Sequence, residues 1–110
     1  MSRLIFALTT AIAVSVLSVV AIAESGGAGV TIQNYTFNPQ TITVAKGTKV
    51  TWVNRDDTPH TVVAVDKKFR SQAMDTGESF AKVFDEVGTF SYVCGLHPQM
   101  MGTVVVTPSN

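Results

Sequence analysis

The sequence contains very little cysteine and little charge. Cys94 is the only cysteine among 110 residues, so no intramolecular disulfide can form. Four roles stay open for this thiol: an inert buried side chain, an intermolecular bridge, a nucleophile or a metal ligand. Only 15% of the residues are charged, and the formal net charge is zero. Because nucleic acid binding needs a basic face, the composition argues against nucleic acid as a partner.

The longest apolar run lies at the start of the chain. It follows Arg3 and ends in small residues at Ala21-Ile22-Ala23, a pattern typical of a secretory signal peptide. The run is also nearly long enough to span a bilayer, so a retained membrane anchor is the alternative. We predict export to the periplasm and the following organisation: a signal peptide at residues 1–23, a flexible linker at 24–29 and one domain at 30–108.

The rest of the chain consists of short β-branched and aromatic segments separated by turn residues, without the periodicity of an amphipathic helix. Residues 67–79 are predicted to be an irregular crossing loop. The predicted strands lie at residues 30–37, 60–66, 80–85, 89–94 and 102–107, with two more inside 41–54. Seven to eight short strands in one small domain predict an all-β, antiparallel Greek-key sandwich or barrel.

One predicted strand contains a conflict between its pattern and its charges. The alternation that turns Phe80 and Phe84 toward the core also turns Lys82 inward. We expect either that Lys82 extends its ammonium group to solvent at a sheet edge, or that a bulge resets the register.

Soft donor atoms are concentrated in the stretch YVCGLHPQMMG at residues 92–102. Cys94, His97 and Met100 follow one another there at three-residue intervals. The glycine and proline between them favour a bend and disfavour a strand, so the spacing predicts a tight loop that turns the three side chains toward one point. His60, the only other histidine, opens a distant predicted strand, and we expect the fold to bring it to this loop.

The donor types favour one kind of ion. A thiolate and a thioether suit copper and disfavour magnesium or calcium, and structural zinc sites seldom use methionine. One thiolate, two imidazoles and a weak thioether make up the trigonal site of an electron-transfer copper centre. The alternative is a nucleophilic cysteine activated by a histidine, which leaves Met100 without a role and has no evident oxyanion donors.

Two segments, VTWVNRDDTPHTVV and GTFSYVCGLHPQMMGTVVV, resemble the copper-binding segments of the cupredoxins, which include plastocyanin and pseudoazurin. The compact C-x-x-H-x-x-M loop is most similar to that of amicyanin-like small blue (type 1) copper proteins. The resemblance covers about residues 30–107. It implies a role for Asn54, whose backbone N–H would donate to the Cys94 sulfur and whose side chain would tie the two ligand loops together. The implied copper ligands are His60, Cys94, His97 and Met100.

The resemblance also implies a one-electron carrier that cycles between Cu(I) and Cu(II), not an enzyme, because protein ligands fill every strong coordination position. Expected partners bind transiently: a periplasmic dehydrogenase, a c-type cytochrome or an oxidase. The carrier itself is expected to be a monomer, with membrane contact only if the N-terminal segment is retained. The expected partner patch, through which electrons would pass, contains His97, Leu96, Pro98, Pro59, Gln99 and Met101.

Two positions depart from the amicyanin pattern and change the surface around the loop. Leu96 stands where amicyanins usually have proline, and Met101 where they usually have a basic residue. These departures leave the electron donor open, including methylamine dehydrogenase, the usual donor to amicyanin. The rival function is delivery or storage of Cu(I), with Met100 and Met101 as exchangeable ligands.

Overall fold

Strands dominate the part of the chain that the computed structural model describes, residues 27–109. Within these residues no helix is long and apolar enough to cross a membrane. The predicted signal peptide and the start of the predicted linker lie outside the described residues. The eight strands are β1 (Ala28–Gln33), β2 (Thr36–Asn38), β3 (Thr41–Ala45), β4 (Thr48–Asn54), β5 (Val63–Ala64), β6 (Ser79–Phe84), β7 (Gly88–Cys94) and β8 (His97–Thr107).

The strands form two four-stranded sheets, with the orders β2-β1-β4-β6 and β3-β8-β7-β5. Neighbours run antiparallel except for β1 beside β4 and β3 beside β8, which are parallel. The predicted all-β Greek-key sandwich with seven to eight strands is confirmed. The sheets are mixed and not wholly antiparallel as predicted, since each contains one parallel pair. Alternation along a strand indicates its faces but not the direction of its neighbours.

The core lies between the two sheets and centres on Trp52. In β4 the side chains of Val50 and Trp52 are fully buried while Lys49 is exposed, as the alternation predicts. From the opposite sheet Tyr92 meets Trp52 edge to face, with ring centroids 5.3 Å apart. Such aromatic pairs contribute about 0.5–1.5 kcal/mol beyond the burial of their area. This packing holds the ends of β4 and β7 in place, and the site lies at those ends.

The inward-facing Lys82 is accommodated at a sheet edge. The register between β4 and the edge strand β6 is continuous, so no bulge redirects the side chain. The Lys82 ammonium instead lies 5.4 Å and 5.5 Å from the ring centroids of Phe69 and Phe84. The first of the two expectations is therefore confirmed, and contacts between the cation and the aromatic faces help to hold the side chain there.

The segment predicted as one strand at residues 30–37 is two strands, β1 and β2, joined at Asn34 and Tyr35. Both turn residues have left-handed backbone, with φ of 53° and 57°. Asparagine adopts this conformation readily, whereas for tyrosine it costs on the order of 1 kcal/mol. The Asp56 carboxylate offsets that cost by accepting hydrogen bonds from both backbone N–H groups, at 2.7 Å and 2.9 Å. The turn thus depends on a distant residue, which a local pattern cannot indicate.

The strand predicted at residues 60–66 is much shorter in the structure, where only Val63–Ala64 forms β5. The first residue of the predicted strand, His60, forms backbone hydrogen bonds with the crossing loop instead of with a neighbouring strand. The His60 N–H donates to the Met74 carbonyl at 3.2 Å, and the Met74 N–H donates back at 2.8 Å. The crossing loop is irregular over residues 67–78, as predicted, with Ser79 already in β6, and it holds the backbone of the predicted ligand His60.

Candidate metal centre

Three donor side chains converge beside the ends of β7 and β8. Nδ1 of His60 and Nδ1 of His97 each lie 3.7 Å from Sγ of Cys94. All three ligand atoms lie within 4.8 Å of one another. Cys94 and His60 are fully buried, whereas His97 is partly exposed. The fold therefore brings the distant histidine to the cysteine and the second histidine, as expected from the sequence.

The β7–β8 hairpin positions two of these donors. Cys94 ends β7, His97 begins β8, and the two residues pair directly across the turn. The next pair is Val93 with Met101, so the register shifts there and residues 98–100 have no partner on β7. The loop is tighter than predicted, because His97 already belongs to β8. It also passes close to Thr61: a Cβ added at Gly95 would lie 3.1 Å from the Thr61 hydroxyl oxygen.

The Cys94 sulfur is surrounded by hydrogen-bond donors. The Thr61 N–H donates to Sγ at 3.4 Å, and the Thr61 hydroxyl lies 3.9 Å from Sγ while it accepts the Gly95 N–H at 2.7 Å. Burial raises the pKa of the Cys94 thiol, but hydrogen bonds from the Thr61 N–H, both imidazoles and the Leu96 N–H outweigh it and lower the pKa to about 6. The site therefore favours the thiolate, which is the form that binds a metal.

His60 is held through both of its ring nitrogens. Its Nε2 lies 2.8 Å from Oδ2 of Asp56, on the side opposite to the Nδ1 that faces Cys94. Burial raises the pKa of Asp56, but hydrogen bonds from the Tyr35 and Asn34 N–H groups and from His60 outweigh it and hold that pKa below its ordinary value. An ionised carboxylate that accepts the Nε2–H fixes the ring with Nδ1 directed toward Cys94, the position from which it can bind a metal.

The turn between β1 and β2 brings an aromatic ring to the same place. The Tyr35 ring meets His60 and His97 edge to face, with centroid distances of 5.3 Å and 4.9 Å. Its side chain is 49% exposed, so part of the ring contacts the imidazoles while the remainder faces solvent. Sequence reasoning missed Tyr35, Asp56 and Thr61. The only available signal was that the last two lie close to His60 in the chain.

Comparison with known proteins establishes the family. The family model for the cupredoxin-like domain matches residues 4–106. The chain belongs to the cupredoxin family. Amicyanin-alpha of Methylorubrum extorquens is 31% identical to it over 106 residues, which is 92% of this chain and 89% of that protein. Plastocyanin of Scenedesmus fuscus is 34% identical over 83 residues, which is 64% of this chain and 85% of that protein.

Solved structures agree with this assignment. A purple cupredoxin from Nitrosopumilus maritimus matches with a TM-score of 0.70 and 33% identity, over 73% of this chain and 99% of that one. A reduced amicyanin variant matches with a TM-score of 0.71 and 31% identity, over 74% of this chain and 83% of that one. The resemblance to amicyanin-like cupredoxins predicted from the sequence is confirmed.

The donor set of this cupredoxin fits copper, the cofactor implied by the family. The point equidistant from the two Nδ1 atoms and Sγ lies roughly 2.4 Å or less from each of them. This distance is close to the length of metal–nitrogen and metal–sulfur bonds in such sites, about 2.0–2.3 Å. A thiolate with two neutral imidazoles is a ligand set that copper binds well. The lowered pKa of Cys94 favours the thiolate, and the Nε2 contact of His60 with Asp56 orients its Nδ1 toward the same point.

Asn54 does not contact the sulfur in this cupredoxin, and that part of the sequence prediction is wrong. Its backbone N–H donates to the Glu78 carbonyl at 3.0 Å. The backbone N–H that reaches the Cys94 sulfur belongs to Thr61. Asn54 precedes the turn before His60, whereas Thr61 directly follows His60, and the spacing of the motif alone did not show which one faces the sulfur.

The Asn54 side chain is buried and makes three hydrogen bonds. Its Nδ2 donates to the carbonyls of Thr58 and Met74, at 2.9 Å and 2.8 Å, and its Oδ1 accepts the Asp56 N–H at 3.0 Å. It therefore ties the turn before His60 to the crossing loop. The prediction that it would tie the two ligand loops to each other is wrong.

The two adjacent methionines point in opposite directions. Met100 is 5% exposed and packs in the core cluster with Cys94, whereas Met101 is 52% exposed. Adjacent strand residues face opposite sides, so only one of the two thioethers can face the interior. In this cupredoxin that residue is Met100.

Most residues of the predicted partner patch surround the partly exposed His97. Leu96, His97, Pro98 and Gln99 line one surface depression. Gln99 also lines a second depression with Met101 and Tyr35, and Pro59 is exposed outside both. Leu96 is 55% exposed, so an apolar side chain faces solvent beside the imidazole.

Proposed function

We propose that this cupredoxin is a one-electron carrier whose single type 1 copper ion cycles between Cu(I) and Cu(II). The observation that carries the proposal is the approach of two imidazole Nδ1 atoms to one buried thiol sulfur, at 3.7 Å each. His60, Cys94 and His97 are the strong ligands, and the buried Met100 is the weak fourth ligand. Membership of the cupredoxin family supports the same function.

The surroundings of the donors support rapid electron transfer. A copper site that serves both oxidation states benefits from ligands that move little between them. Asp56 holds His60, the Thr61 N–H holds the Cys94 sulfur, and the hairpin pairing of Cys94 places His97. Because protein side chains supply the strong ligands, no strong position is left for a substrate. These features favour a carrier over an enzyme.

The partner surface follows from exposure. His97 is the one partly exposed member of the three-donor group, so electrons pass through its ring edge. Leu96 and the residues beside it form a small apolar face, which suits a transient redox complex that buries less than about 1,200 Å². The signal peptide predicted at residues 1–23 supports a periplasmic location. We propose a dehydrogenase, a c-type cytochrome or an oxidase as partner.

Titration of the metal-free protein with Cu(II) tests the proposal. One equivalent should produce an intense blue charge-transfer band from thiolate to copper, which reduction bleaches and reoxidation restores. Cys94→Ser should abolish the band, because an alcohol cannot replace the thiolate. Met100→Ala should shift the reduction potential and the EPR spectrum, whereas the matched control Met101→Ala should change neither. The opposite outcome for the two methionines would contradict the assignment of Met100 as fourth ligand.

The second candidate function is delivery or storage of Cu(I), because the exposed thioether of Met101 lies next in the chain to the buried one of Met100. This function predicts a pale Cu(II) form and rapid loss of copper to a mild chelator. A blue protein that retains its copper through repeated reduction and oxidation would exclude it. A colourless product that releases copper would contradict the carrier.

A further inference from the structure

We propose that Tyr35 is a positioning residue of the copper centre, held against the two histidine rings by Asp56. The proposal rests on the proposed function for its copper measurements, whereas the ring contacts belong to the folded chain itself. It extends the site to the turn between β1 and β2, which contributes no ligand.

The orientation of His97 depends on packing. His60 is fully buried and bonded through Nε2 to Asp56, so its ring is already fixed. Among the described residues, the His97 ring makes no hydrogen bond except its contact with Cys94. Its ring neighbours are His60, at a centroid distance of 5.2 Å, and Tyr35, at 4.9 Å. Tyr35 is therefore the neighbour that keeps the partly exposed His97 ring from turning away from the sulfur.

One carboxylate connects the tyrosine to the ligand set. Oδ1 of Asp56 accepts the Asn34 N–H, and Oδ2 accepts the Tyr35 N–H as well as the Nε2–H of His60. Tyr35 has a φ of 57°, a conformation that a bulky residue keeps only where its surroundings impose it. Asp56 thus fixes one imidazole directly, and it fixes the turn whose tyrosine contacts both imidazoles.

The exposure of Tyr35 argues against a purely structural role. Nearly half of its side chain faces solvent, so its removal takes little area from the core. Edge-to-face contacts with two imidazoles are instead specific to this position. Loss of the ring should therefore affect the metal centre more than the fold.

The experiment compares wild type with Tyr35→Ala, Tyr35→Phe and the control Val83→Ala, which removes an equally exposed side chain from β6. The first measurement is the rate of copper loss from the Cu(II) protein to a chelator. Tyr35→Ala should lose copper about tenfold faster than wild type, at the lower end of what changes beside metal ligands produce. Tyr35→Phe keeps the ring, so it and Val83→Ala should stay close to wild type.

The second measurement needs no copper. In NMR spectra of the metal-free protein, the ring-proton resonances of His97 and His60 should carry a ring-current shift from Tyr35. That shift should disappear in Tyr35→Ala and persist in Tyr35→Phe. Asp56→Asn, which leaves one carbonyl oxygen in place of the carboxylate, should reduce it. Asp56→Asn should raise the rate of copper loss by a smaller factor in the Tyr35→Ala protein than in wild type, because the two residues act through one turn.

The results separate this inference from the proposed function. Wild-type copper retention and unchanged histidine resonances in Tyr35→Ala would overturn the role of Tyr35, even if the protein is blue. Strict additivity of the Asp56 and Tyr35 changes would overturn the role of Asp56 as the anchor. If wild type binds no blue copper, the proposed function fails, and the resonances of the metal-free protein still decide whether Tyr35 restrains the rings.

Discussion

Replacing Thr61 by valine removes one hydroxyl beside the Cys94 sulfur, the proposed copper ligand, and keeps the backbone N–H that donates to it. In the structure this hydroxyl accepts the Gly95 N–H at 2.7 Å and lies 3.9 Å from Sγ of Cys94. Because the hydroxyl accepts from Gly95, its own proton is available to the sulfur. Two separate effects follow: the hairpin that carries the ligands is held less firmly, and the thiolate loses a weak donor.

Both effects have calculable sizes. Loss of the Gly95 hydrogen bond should lower the free energy of unfolding of the metal-free protein by about 0.5–1.5 kcal/mol. A thiolate with fewer hydrogen bonds donates more charge to copper and favours Cu(II), so the reduction potential should fall. If the hydroxyl favours Cu(I) by about 0.5–1 kcal/mol, the fall is about 20–45 mV for one electron.

Urea unfolding of the metal-free protein and voltammetry of the copper protein measure the two quantities. Thr61→Ser is the matched control, because it removes only the methyl group and should keep the wild-type potential. A valine variant with an unchanged or raised potential would refute the reasoning about the sulfur. Unchanged stability in the valine variant would refute the importance of the Gly95 bond.

Three further substitutions test other parts of the structure. Burial raises the pKa of Tyr92 from its ordinary 10.0 to about 12, so stability is present below pH 10 and is lost as the pH rises to 12. Urea unfolding across this range should show a loss about 2–3 kcal/mol larger in wild type than in Tyr92→Phe; equal losses would contradict this. Gly102→Ala should cost about 1–3 kcal/mol in thermal unfolding, because its methyl group would overlap the Tyr92 ring, and a neutral effect would mean that the ring moves aside. Asn54→Ala removes the three hydrogen bonds of a buried side chain and should cost about 2–4 kcal/mol in urea unfolding; a loss below about 1 kcal/mol would show that water replaces them.

Much of the fold could be predicted because alternation is a local property. The buried face of β4 and the edge position of Lys82 follow from the sequence pattern and are found in the structure. The break at Tyr35 was missed because neither turn residue is a glycine, and a carboxylate 21 positions away holds the turn. The short β5 was missed because the residues before it, His60 and Val62, bond to the crossing loop.

The sequence by itself determined the donor types, and hence that His60, Cys94 and His97 would suit copper once brought together. The tertiary structure decided which groups surround them. Crossing loops and strand register place Thr61, not Asn54, at the sulfur, and they place Asp56 against a ring nitrogen. The contact of Thr61 with Cys94 joins residues 33 positions apart, and the approach of His60 to Cys94 joins residues 34 positions apart. No periodicity along the chain specifies such distances, because they arise only when the two sheets pack.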